Sequence, residues 1–500
     1  MIYLGIDCGT QGTKAILYDS EKKQILSKGY ATHQLISDDT GLREQKAQWW
    51  TEALELAVQQ ALVKANIKGS EVKALSVSGQ QHGLVVLDGQ GKVLRNVKLW
   101  NDTSTASYNE RLLDELGGLG KGWKLLGTTL PVGYTASKLL YLIDREPEIF
   151  SKTEHVLLPH DYLNFYLTGR YATDSSEASG TGYYDVKNRE YSSQMMKLID
   201  PSNRLSSLVP AVVGWENPIG VILPEIADRL GLSRDVLVAA GGGDNSMGAI
   251  GTTSIVPGRS TLSLGTSGTV CIATNKMSDH IDPLLQMYDI LQDQWLATCC
   301  TLNATSATTT LQKLFGLSLK ELDGAMEKSP IGAEGLVSIP FYDGERMPPL
   351  PQARGLFKNL SSLNFTRENM IRATAESVIF TLKWGYDKIQ EAFGGDYELV
   401  LTGGGSNSAP WRKIIANVFA LPVHCLSIDE GGALGAALQA QYMYEKWKGF
   451  SNQSLAEISK GCMSYDERME VTPDTGATRE YEQHYAKYKE TIEKEWGIIL

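Results

Sequence analysis

The 500-residue chain contains no run of about 18 consecutive apolar residues, the length that a helix needs to cross a membrane. Residues 1 to 7 carry no basic cluster and include a carboxylate, Asp7, so they do not resemble a secretory signal. We therefore expect a cytoplasmic protein without membrane-spanning helices.

Basic residues are in deficit. The chain has 47 Lys and Arg against 58 Asp and Glu, which gives a formal net charge of -11. This balance disfavours a surface for nucleic acid or an anionic membrane, because such surfaces need clustered Lys and Arg. With 42% hydrophobic and 21% charged residues, the composition is typical of a globular protein. We expect its partner to be a small molecule.

Cysteine is scarce, and several motifs are missing. The six cysteines show neither CxxC nor zinc-type Cys/His spacing, so we expect each to be a reduced thiol. The chain lacks a GxxxxGK[ST] loop and a GxGxxG between a strand and a helix, which removes support for P-loop and Rossmann folds. It also lacks the GxSxG elbow of the α/β-hydrolases.

Two short motifs are present twice, in the same order. They are GTQGT (9–13) with GTSGT (265–269), and GGGDNS (241–246) with GGGSNS (403–408). Apolar runs flank both GT turns, so residues 2 to 18 and 259 to 274 are each predicted to form a β-hairpin. The repetition indicates two related domains that face each other.

Carboxylates occur at these motifs only in the first half. Asp7 precedes the first GT turn where the second copy has Ser263, and Asp244 follows the first triple glycine where the second copy has Ser406. This asymmetry predicts an enzyme cleft in which one domain handles metal and reaction while the other holds a ligand.

Strand and helix patterns alternate along the chain. Strands are predicted at 72–79, 93–100, 236–243 and 397–402, and helices at 48–65, 368–393 and from Arg412 onward. This alternation predicts an α/β fold. In the first helix, apolar residues at helical spacing predict a core face: Trp50, Leu54, Val58 and Ala61. Near the C-terminus one helical face carries Tyr481, Tyr485, Tyr488, Ile492 and Trp496, and docking on the body is favoured over a partner interface.

A glycine turn after a strand lets backbone N–H groups approach an anion closely. Two opposed hairpins could therefore grip one polyphosphate. Thr10 and Thr266 would supply hydroxyl donors, Lys14 a positive charge, and Asp7 an oxygen ligand for Mg²⁺ through water. A single GTxGT turn is equally typical of an ordinary hairpin, and its repetition beside two triple glycines favours phosphate binding.

Asp244 follows an apolar strand and three glycines, at a predicted helix start. One interpretation is a helix N-cap. The other joins it with Asp7, since two acids at strand ends in one domain could hold a metal and accept a hydroxyl proton during phosphoryl transfer.

A third cluster consists of SGQQHG (78–83) and WND (100–102), which offer amides, an imidazole and a carboxylate in loops after strands. These groups suit a polyhydroxylated ligand. A structural hydrogen-bonding role is the alternative for His82.

The order of DCGTQGTK (7–14), SGQQHG, WND, GGGDN (241–245), SLGTSG (263–268), DGERMP (343–348) and TGGGSNS (402–408) resembles the FGGY family of carbohydrate kinases. The resemblance runs from residue 2 to about 445. It implies two ribonuclease-H-like domains, of the actin and Hsp70 ATPase type, facing across a cleft. The implied units are an N-terminal domain at 1–250 with the sugar site and the acids, a nucleotide-binding domain at 255–445, and a helical tail at 446–500 packed on the body.

The resemblance also implies roles for the matching residues. Asp244 corresponds to the general base and Asp7 to the acid that positions Mg²⁺ and phosphates, both at the metal. The implied sugar-binding residues are Gln81, His82, Asn101, Asp102 and Asp244. The implied ATP-binding residues are Thr10, Lys14, Gly265, Thr266, Gly404, Gly405 and Asn407. Gln11, Met347 and the pair Thr305-Ser306 depart from the residues that many family members carry.

The loops at 78–83, 100–102, 159–169 and 341–351 are most similar to those of the xylulokinase branch. The resemblance therefore implies a homodimeric, ATP- and Mg²⁺-dependent kinase that converts D-xylulose to D-xylulose 5-phosphate. Three alternatives stay open: a kinase for another ketose, polyol or sugar acid such as ribulose or gluconate, a partner-coupled ATPase of the actin or Hsp70 kind, and a sugar-binding regulator without catalysis. The sugar loops speak against the second and the two acids against the third.

Overall fold

The computed structural model describes residues 1–291, 294–342, 344–427 and 430–498. In these ranges no helix combines the length and the apolar character that crossing a membrane requires. All six cysteines are thiols, as predicted.

The strands of the described residues are β1 (Ile2–Cys8), β2 (Gly12–Asp19), β3 (Gln24–Thr32), β4 (Ile36–Ser37), β5 (Arg43–Gln45), β6 (Val72–Gly79), β7 (Val85–Leu87), β8 (Val97–Lys98), β9 (His155–Leu157), β10 (Ala172–Asp174), β11 (Tyr184–Asp185), β12 (Glu190–Tyr191), β13 (Ala211–Val213), β14 (Gly220–Val221), β15 (Leu237–Val238), β16 (Gly242–Gly243), β17 (Arg259–Leu264), β18 (Gly268–Thr274), β19 (Gln286–Leu291), β20 (Gln294–Thr301), β21 (Val337–Ile339), β22 (Leu356–Lys358), β23 (Glu398–Thr402) and β24 (Val423–Cys425).

The α-helices are α1 (Ala47–Ala65), α2 (Ala106–Leu116), α3 (Leu119–Leu126), α4 (Thr135–Arg145), α5 (Pro147–Lys152), α6 (Pro159–Thr168), α7 (Ser175–Ser179), α8 (Ser193–Ile199), α9 (Leu205–Leu208), α10 (Pro224–Leu230), α11 (Asp244–Gly251), α12 (Thr305–Phe315), α13 (Leu319–Lys328), α14 (Arg367–Phe393), α15 (Ala409–Phe419), α16 (Gly431–Trp447), α17 (Leu455–Cys462) and α18 (Thr475–Trp496). Short 3-10 helices lie at Ile331–Gly335, Gly404–Asn407 and Glu467–Met469.

Two sheets of the same design form the body. The first has the order β14-β15-β6-β1-β2-β3 and the second the order β19-β20-β18-β17-β23-β24. In each sheet the opening strand, β1 or β17, pairs antiparallel with the next strand to form a hairpin and parallel with β6 or β23 on its other side. Both predicted hairpins are thereby confirmed, and the repeated motifs correspond to a repeated sheet.

The carboxyl ends of the parallel strands gather the functional loops at one edge of the first sheet. Asp7 of β1 is in register with Ser78 of β6, and Gly243 of β16 with Gly79 of β6. Asp244 follows directly after β16. The two acids and the loop after Gly79 therefore meet at this edge, although they are far apart in the chain.

Several predicted elements are confirmed, and two are wrong in extent. Helices α1 and α14 match their predictions, and the predicted core face of α1 is buried: Trp50, Leu54, Val58 and Ala61. The strand predicted at 93–100 is reduced to β8. The strand predicted at 236–243 is divided into β15 and β16, because Gly241 between them has φ of 72°.

Helix α16 belongs to the second half of the chain but packs on β1 and β6 of the first sheet and on α11. A Cβ atom at Gly435 would lie 1.8 Å from the carbonyl oxygen of Met247, and one at Gly251 would lie 2.0 Å from that of Gly431. Only glycine permits this backbone contact. The proposed domain boundaries stay a prediction, because chain order assigns α16 to the second unit whereas its packing joins it to the first.

Helix α18 covers one side of the second sheet's core. Tyr481, Tyr488 and Ile492 are buried there, and Tyr485 and Trp496 pack against the same core. The hydroxyl of Tyr481 donates to Glu376 of α14 at 3.1 Å. This aromatic face is thus used within the chain.

Replacing Gly435 by Ala should lower the free energy of unfolding by about 1–3 kcal/mol, the usual cost of overpacking, because the added methyl group would overlap the Met247 carbonyl. The matched control is Gly324→Ala in α13, where an added Cβ would meet nothing within 4 Å. That variant should be neutral or more stable by up to about 1 kcal/mol, since Ala has the higher helix propensity. Equal urea midpoints for the two variants would contradict the tight contact.

Candidate active site

A cavity of about 960 Å³ lies between the two halves of the molecule. Its wall includes both acids, Asp7 and Asp244, together with residues 9 to 12 of the first turn. Thr266 and Ser267 of the second turn face it from the other half. The volume lies within the range of about 300–1,000 Å³ that is usual for small-molecule sites.

Asp7 lies near the end of β1, where it accepts a hydrogen bond from the Ser78 hydroxyl at 2.7 Å. The start of α16 passes close to it, since a Cβ at Gly432 would lie 2.8 Å from the carboxyl carbon of Asp7. Burial raises the pKa of Asp7, and the Ser78 hydrogen bond and the charge of Lys14 oppose that increase only in part.

Asp244 is the first residue of α11. The N-cap position belongs to Gly243, so the N-cap interpretation of Asp244 is wrong. One carboxylate oxygen accepts the backbone N–H of Asn245 at 2.9 Å. Burial and, secondly, repulsion from Asp7 raise the pKa of Asp244 to about 7. The carboxyl group can therefore exchange a proton near neutral pH.

The strand that leads to Asp244 is held from two sides. The Gln439 side chain of α16 accepts the backbone N–H of Gly241 at 3.1 Å and donates to its carbonyl at 3.3 Å. The Ser176 hydroxyl accepts the N–H of Gly243 at 3.1 Å. These contacts fix the backbone that positions Asp244, and neither Gln439 nor Ser176 was identified from the sequence.

The loop after β6 contacts the site through the side-chain amide of Gln81. The Gln81 side chain accepts from Asn245 at 2.9 Å and donates to the Ser176 carbonyl at 3.3 Å. His82 is 3% exposed and donates from Nδ1 to the Gly180 carbonyl at 2.8 Å. Burial holds the pKa of His82 well below its usual value, which favours the neutral ring. This geometry is that of the structural hydrogen-bonding alternative, and sugar contacts by Gln81 and His82 stay predictions.

Of the WND loop, Trp100 and Asn101 line the cavity. Asp102 has no exposed surface, and its carboxylate accepts from the Arg43 backbone N–H at 2.8 Å and the Ser104 hydroxyl at 2.6 Å. Its buried charge is balanced by Lys98, 3.3 Å away. Asp102 therefore holds the loop in place, and its burial does not support the predicted contact with a sugar.

The two GT turns meet across the cleft. Gln11 Nε2 donates to Thr266 Oγ1 at 3.0 Å. The Thr10 hydroxyl donates to Gln80 at 3.1 Å and accepts the Trp100 indole N–H at 2.9 Å. In this structure the hydroxyl proton is directed to Gln80, and a hydrogen bond from Thr10 to phosphate stays a prediction.

Lys14 lines the cavity and forms an ion pair with Glu430. Glu430 also pairs with Lys28 at 2.6 Å. A phosphate that approaches Lys14 would therefore compete with the Glu430 carboxylate for the positive charge of the lysine.

The second turn is tied to the start of α12. The Thr305 hydroxyl donates to the Gly265 carbonyl at 2.7 Å, and the Ser306 hydroxyl donates to the Thr266 carbonyl at 2.9 Å. The departure from the family pattern at 305 and 306 thus adds two hydroxyl contacts that hold this turn.

The second triple glycine lies beside the same turn. A Cβ at Gly405 would lie 2.5 Å from the Leu264 side chain, just before Gly265. Gly404 and Asn407 are exposed. None of the three belongs to the described wall of the 960 Å³ cavity, and their role in binding adenosine stays a prediction. Asp343 of the DGERMP motif lies outside the described residues.

Comparison with families of known proteins identifies both halves of the chain. The FGGY family of carbohydrate kinases matches with its N-terminal domain at residues 2–251 and with its C-terminal domain at residues 261–444. The chain belongs to the FGGY family of carbohydrate kinases. This FGGY kinase therefore has the predicted α/β fold of two ribonuclease-H-like domains facing across a cleft, and ATP is its co-substrate.

Known relatives agree with this assignment. The FGGY kinase is 41% identical over 491 residues to a xylulose kinase from Haemophilus influenzae, covering 97% of this chain and 98% of the relative. It matches the crystal structure of a xyloylose kinase from Brucella ovis with a TM-score of 0.86 and 27% identity, covering 98% of each chain. A gluconate kinase from Lactobacillus acidophilus shares the fold at a TM-score of 0.88, with 22% identity and 99% of each chain covered.

Replacing Asp244 by Asn should stabilise the FGGY kinase at pH 8 by about 1–3 kcal/mol in metal-free buffer. The pKa of about 7 lies above the ordinary value of 3.8 for an aspartic acid, so the folded protein favours the protonated acid. Stability should therefore fall as the pH rises from about 4 through 7, and the amide removes that loss.

Thermal melts at pH 4, 6 and 8 measure this effect, with the exposed Asp396→Asn as the control. The gain should be present at pH 8 and absent at pH 4. A gain of the same size at every pH would show that ionisation of Asp244 is not its cause.

Proposed function

We propose that this FGGY kinase transfers the γ-phosphate of ATP to a terminal hydroxyl of D-xylulose, giving D-xylulose 5-phosphate and ADP. The observation that carries the proposal is the pair of acids, Asp7 and Asp244, in the wall of one cleft between the halves. The choice of sugar is supported by 41% identity to a xylulose kinase across nearly the full length of both chains.

Asp244 is the proposed general base. It removes the proton from the terminal hydroxyl of the sugar as that oxygen attacks the γ-phosphorus. The bond from the γ-phosphorus to the oxygen that bridges it to the β-phosphate breaks in line, and ADP leaves with that oxygen. A pKa of about 7 suits this step, because the carboxylate is available at neutral pH and still basic enough to hold the proton.

The turns are proposed to hold the phosphates between the halves. Lys14 lines the cleft on one side and Thr266 on the other, so a polyphosphate between them would contact both. Such contacts would draw the halves together and exclude water from the γ-phosphate, which limits hydrolysis of ATP without sugar.

Mg²⁺ fits this cleft. Burial and, secondly, repulsion from Asp7 raise the pKa of Asp244, and a cation held by the two acids would relieve that repulsion. Among the described residues no cluster of three or more His, Cys, Asp or Glu could hold a metal alone. The expected arrangement is therefore the usual one for Mg²⁺, with one or two carboxylates, water and the phosphates of the substrate. The cation would neutralise phosphate charge, and Asp7 and Asp244 would hold it.

The sugar is proposed to lie next to Asp244, against Trp100 and Asn101 of the cleft wall. Gln81 would act through Asn245, whose side chain it orients at 2.9 Å. A cytoplasmic location and a homodimer, which light scattering would test, stay predictions.

Asp244→Asn should lower kcat for phosphoryl transfer by about 10²- to 10⁴-fold, the usual contribution of a general base. Mg·ATP should still bind, because Asp7, water and the phosphates can hold the cation without Asp244. Coupled ADP release gives the rate and calorimetry the nucleotide affinity. Asp396→Asn, the same chemical change on the surface, should keep full activity. Wild-type turnover in the Asp244 variant would assign the base to another residue.

Sugar-dependent ADP release should be strongest with D-xylulose in a panel that also contains ribulose, gluconate and glycerol. Mass spectrometry of the product should show one phosphate on the terminal carbon. Stronger stimulation by another member of the panel would keep the mechanism and replace the substrate, whereas ATP hydrolysis without any sugar response would contradict the proposed function.

A further inference from the structure

The turn that follows β6 has an unusual backbone. The N–H of Gly83 donates to the Gln81 carbonyl at 2.9 Å, which closes a turn of three residues. His82, at the centre of this turn, has φ of 68°. Residues other than glycine rarely adopt this left-handed region, and a three-residue turn with a positive φ at its centre is strained. The surrounding structure must therefore hold the turn in place.

His82 is held both at its carbonyl and at its ring. The carbonyl accepts from Lys138 Nζ at 3.0 Å and from the Thr135 hydroxyl at 3.1 Å, and both donors belong to α4. The ring donates from Nδ1 to the Gly180 carbonyl, and its centre lies 4.5 Å from that of the Tyr134 ring. The two donors to the carbonyl fix the orientation of the peptide group that follows His82.

Lys138 is a lysine without exposed surface. Besides the His82 carbonyl, its ammonium group has the backbone carbonyls of Gly133 and Tyr134 as acceptors. None of these acceptors carries a charge, and burial lowers the pKa of Lys138 to about 7. Placing a lysine in such surroundings opposes folding, because the ammonium loses its hydration. The cost indicates that this lysine serves the site.

The ammonium group also joins the turn to the wall of the cleft. Gly133 lies against the WND loop, since a Cβ atom at Gly133 would be 2.2 Å from the Trp100 carbonyl oxygen. Trp100 itself lines the 960 Å³ cavity. Lys138 therefore connects the strained turn at His82 with a loop that packs against the cleft wall.

The turn places Gln81 beside the proposed base. A Cβ atom at Gly243 would lie 2.3 Å from Gln81 Nε2, so the amide packs against the residue before Asp244. The other amide atom, Gln81 Oε1, accepts from the side chain of Asn245, the residue after Asp244, at 2.9 Å. Gln81 thus contacts the residues on both sides of Asp244. A change in the turn would reach Asp244 through these contacts.

We propose that Lys138 is a positioning residue, whose ammonium group holds the strained turn at His82 and thereby keeps Gln81 and Asp244 in place for the sugar. The inference rests on the proposed function. Because Lys138 has no exposed surface, it acts through the His82 carbonyl rather than on the substrate. Without the ammonium group the peptide after His82 can rotate, the turn relaxes and the sugar is held less well. The nucleotide, which is proposed to lie between the two GT turns, is bound independently of Lys138.

Lys138→Met should raise KM for the sugar that gives the highest rate by about tenfold or more, since a hydrogen bond from a charged donor is lost. KM for Mg·ATP should stay within about twofold. Thr135→Val removes the second, neutral donor and should raise KM for the sugar by about two- to tenfold. Ser137→Ala is the matched control, because the hydrogen bonds of this buried hydroxyl of α4 go to Thr105 and to the Tyr134 carbonyl instead. It should leave both KM values unchanged.

The hydrogen bond itself can be observed, because His82 is the only one of the seven histidines that precedes a glycine. With ¹³C in the histidine carbonyls and ¹⁵N in glycine, an HNCO spectrum of the deuterated full-length protein contains one signal, from the peptide group after His82. Its carbonyl-carbon frequency should fall in Lys138→Met, because a carbonyl that loses a hydrogen bond is more shielded. It should stay unchanged in Ser137→Ala.

A shifted signal together with a higher KM for the sugar alone supports the inference. An unchanged signal in Lys138→Met, an unchanged KM for the sugar, or an equal rise in both KM values would each overturn it. If circular dichroism shows that Lys138→Met does not fold, Thr135→Val decides by the same two measurements. A wild-type protein without sugar-dependent ADP release would refute the proposed function and this inference together. An active wild type with an unaffected Lys138 variant would refute this inference alone.

Discussion

Two helices that touch through their backbones hold the site together. Helix α11 begins at Asp244 and helix α16 begins beside Asp7, and the glycines at their crossing leave no room for a side chain between them. Because Gly435 lies against the Met247 carbonyl, a shift of α16 moves both acids relative to each other. The separation of the two carboxylates thus depends on this helix packing as well as on β1 and α11, which carry them.

The same helix also reaches the strand before Asp244. Gln439 follows Gly435 by one helical turn and pairs with both backbone groups of Gly241. Asp244, its strand and α16 consequently behave as one unit at the junction of the halves. Both acids are partly buried in the cleft wall, and this burial raises the pKa of each. The packing that positions the two acids therefore also raises their pKa values.

Local signals were sufficient for the hairpins, the main helices and the convergence of Asp7 with Asp244. They rest on short-range patterns: apolar alternation, glycine turns and the rule that parallel strands end at one edge. The repetition of the two motifs along the chain made the paired sheets predictable as well. The extent of β15 was not, because Gly241 interrupts an apolar run that otherwise favours a single strand.

The features that the sequence did not reveal depend on distant partners. Gln439 meets a glycine 198 residues away, and the Thr10 hydroxyl is taken by a tryptophan 90 residues away. Asp102 is a carboxylate in a loop after a strand, which suggested ligand binding, yet its side chain is buried beside Lys98. Glycine at 431, 432 and 435 was a usable signal for close helix packing, since glycine lowers the helix propensity and needs a reason to be there.

The bond between Gln11 and Thr266, which joins the two turns, bears on how quickly nucleotides can exchange. A neutral hydrogen bond contributes only about 0.5–1.5 kcal/mol, which corresponds to a factor of roughly two to ten in an equilibrium constant. This hydrogen bond favours the conformation in which the two turns are in contact, but it is too weak to keep the cleft closed. The rate at which a nucleotide enters or leaves would then be limited by the larger movement of the two halves. The hydrogen bond between Gln11 and Thr266 would only set the fraction of time for which the two turns are apart.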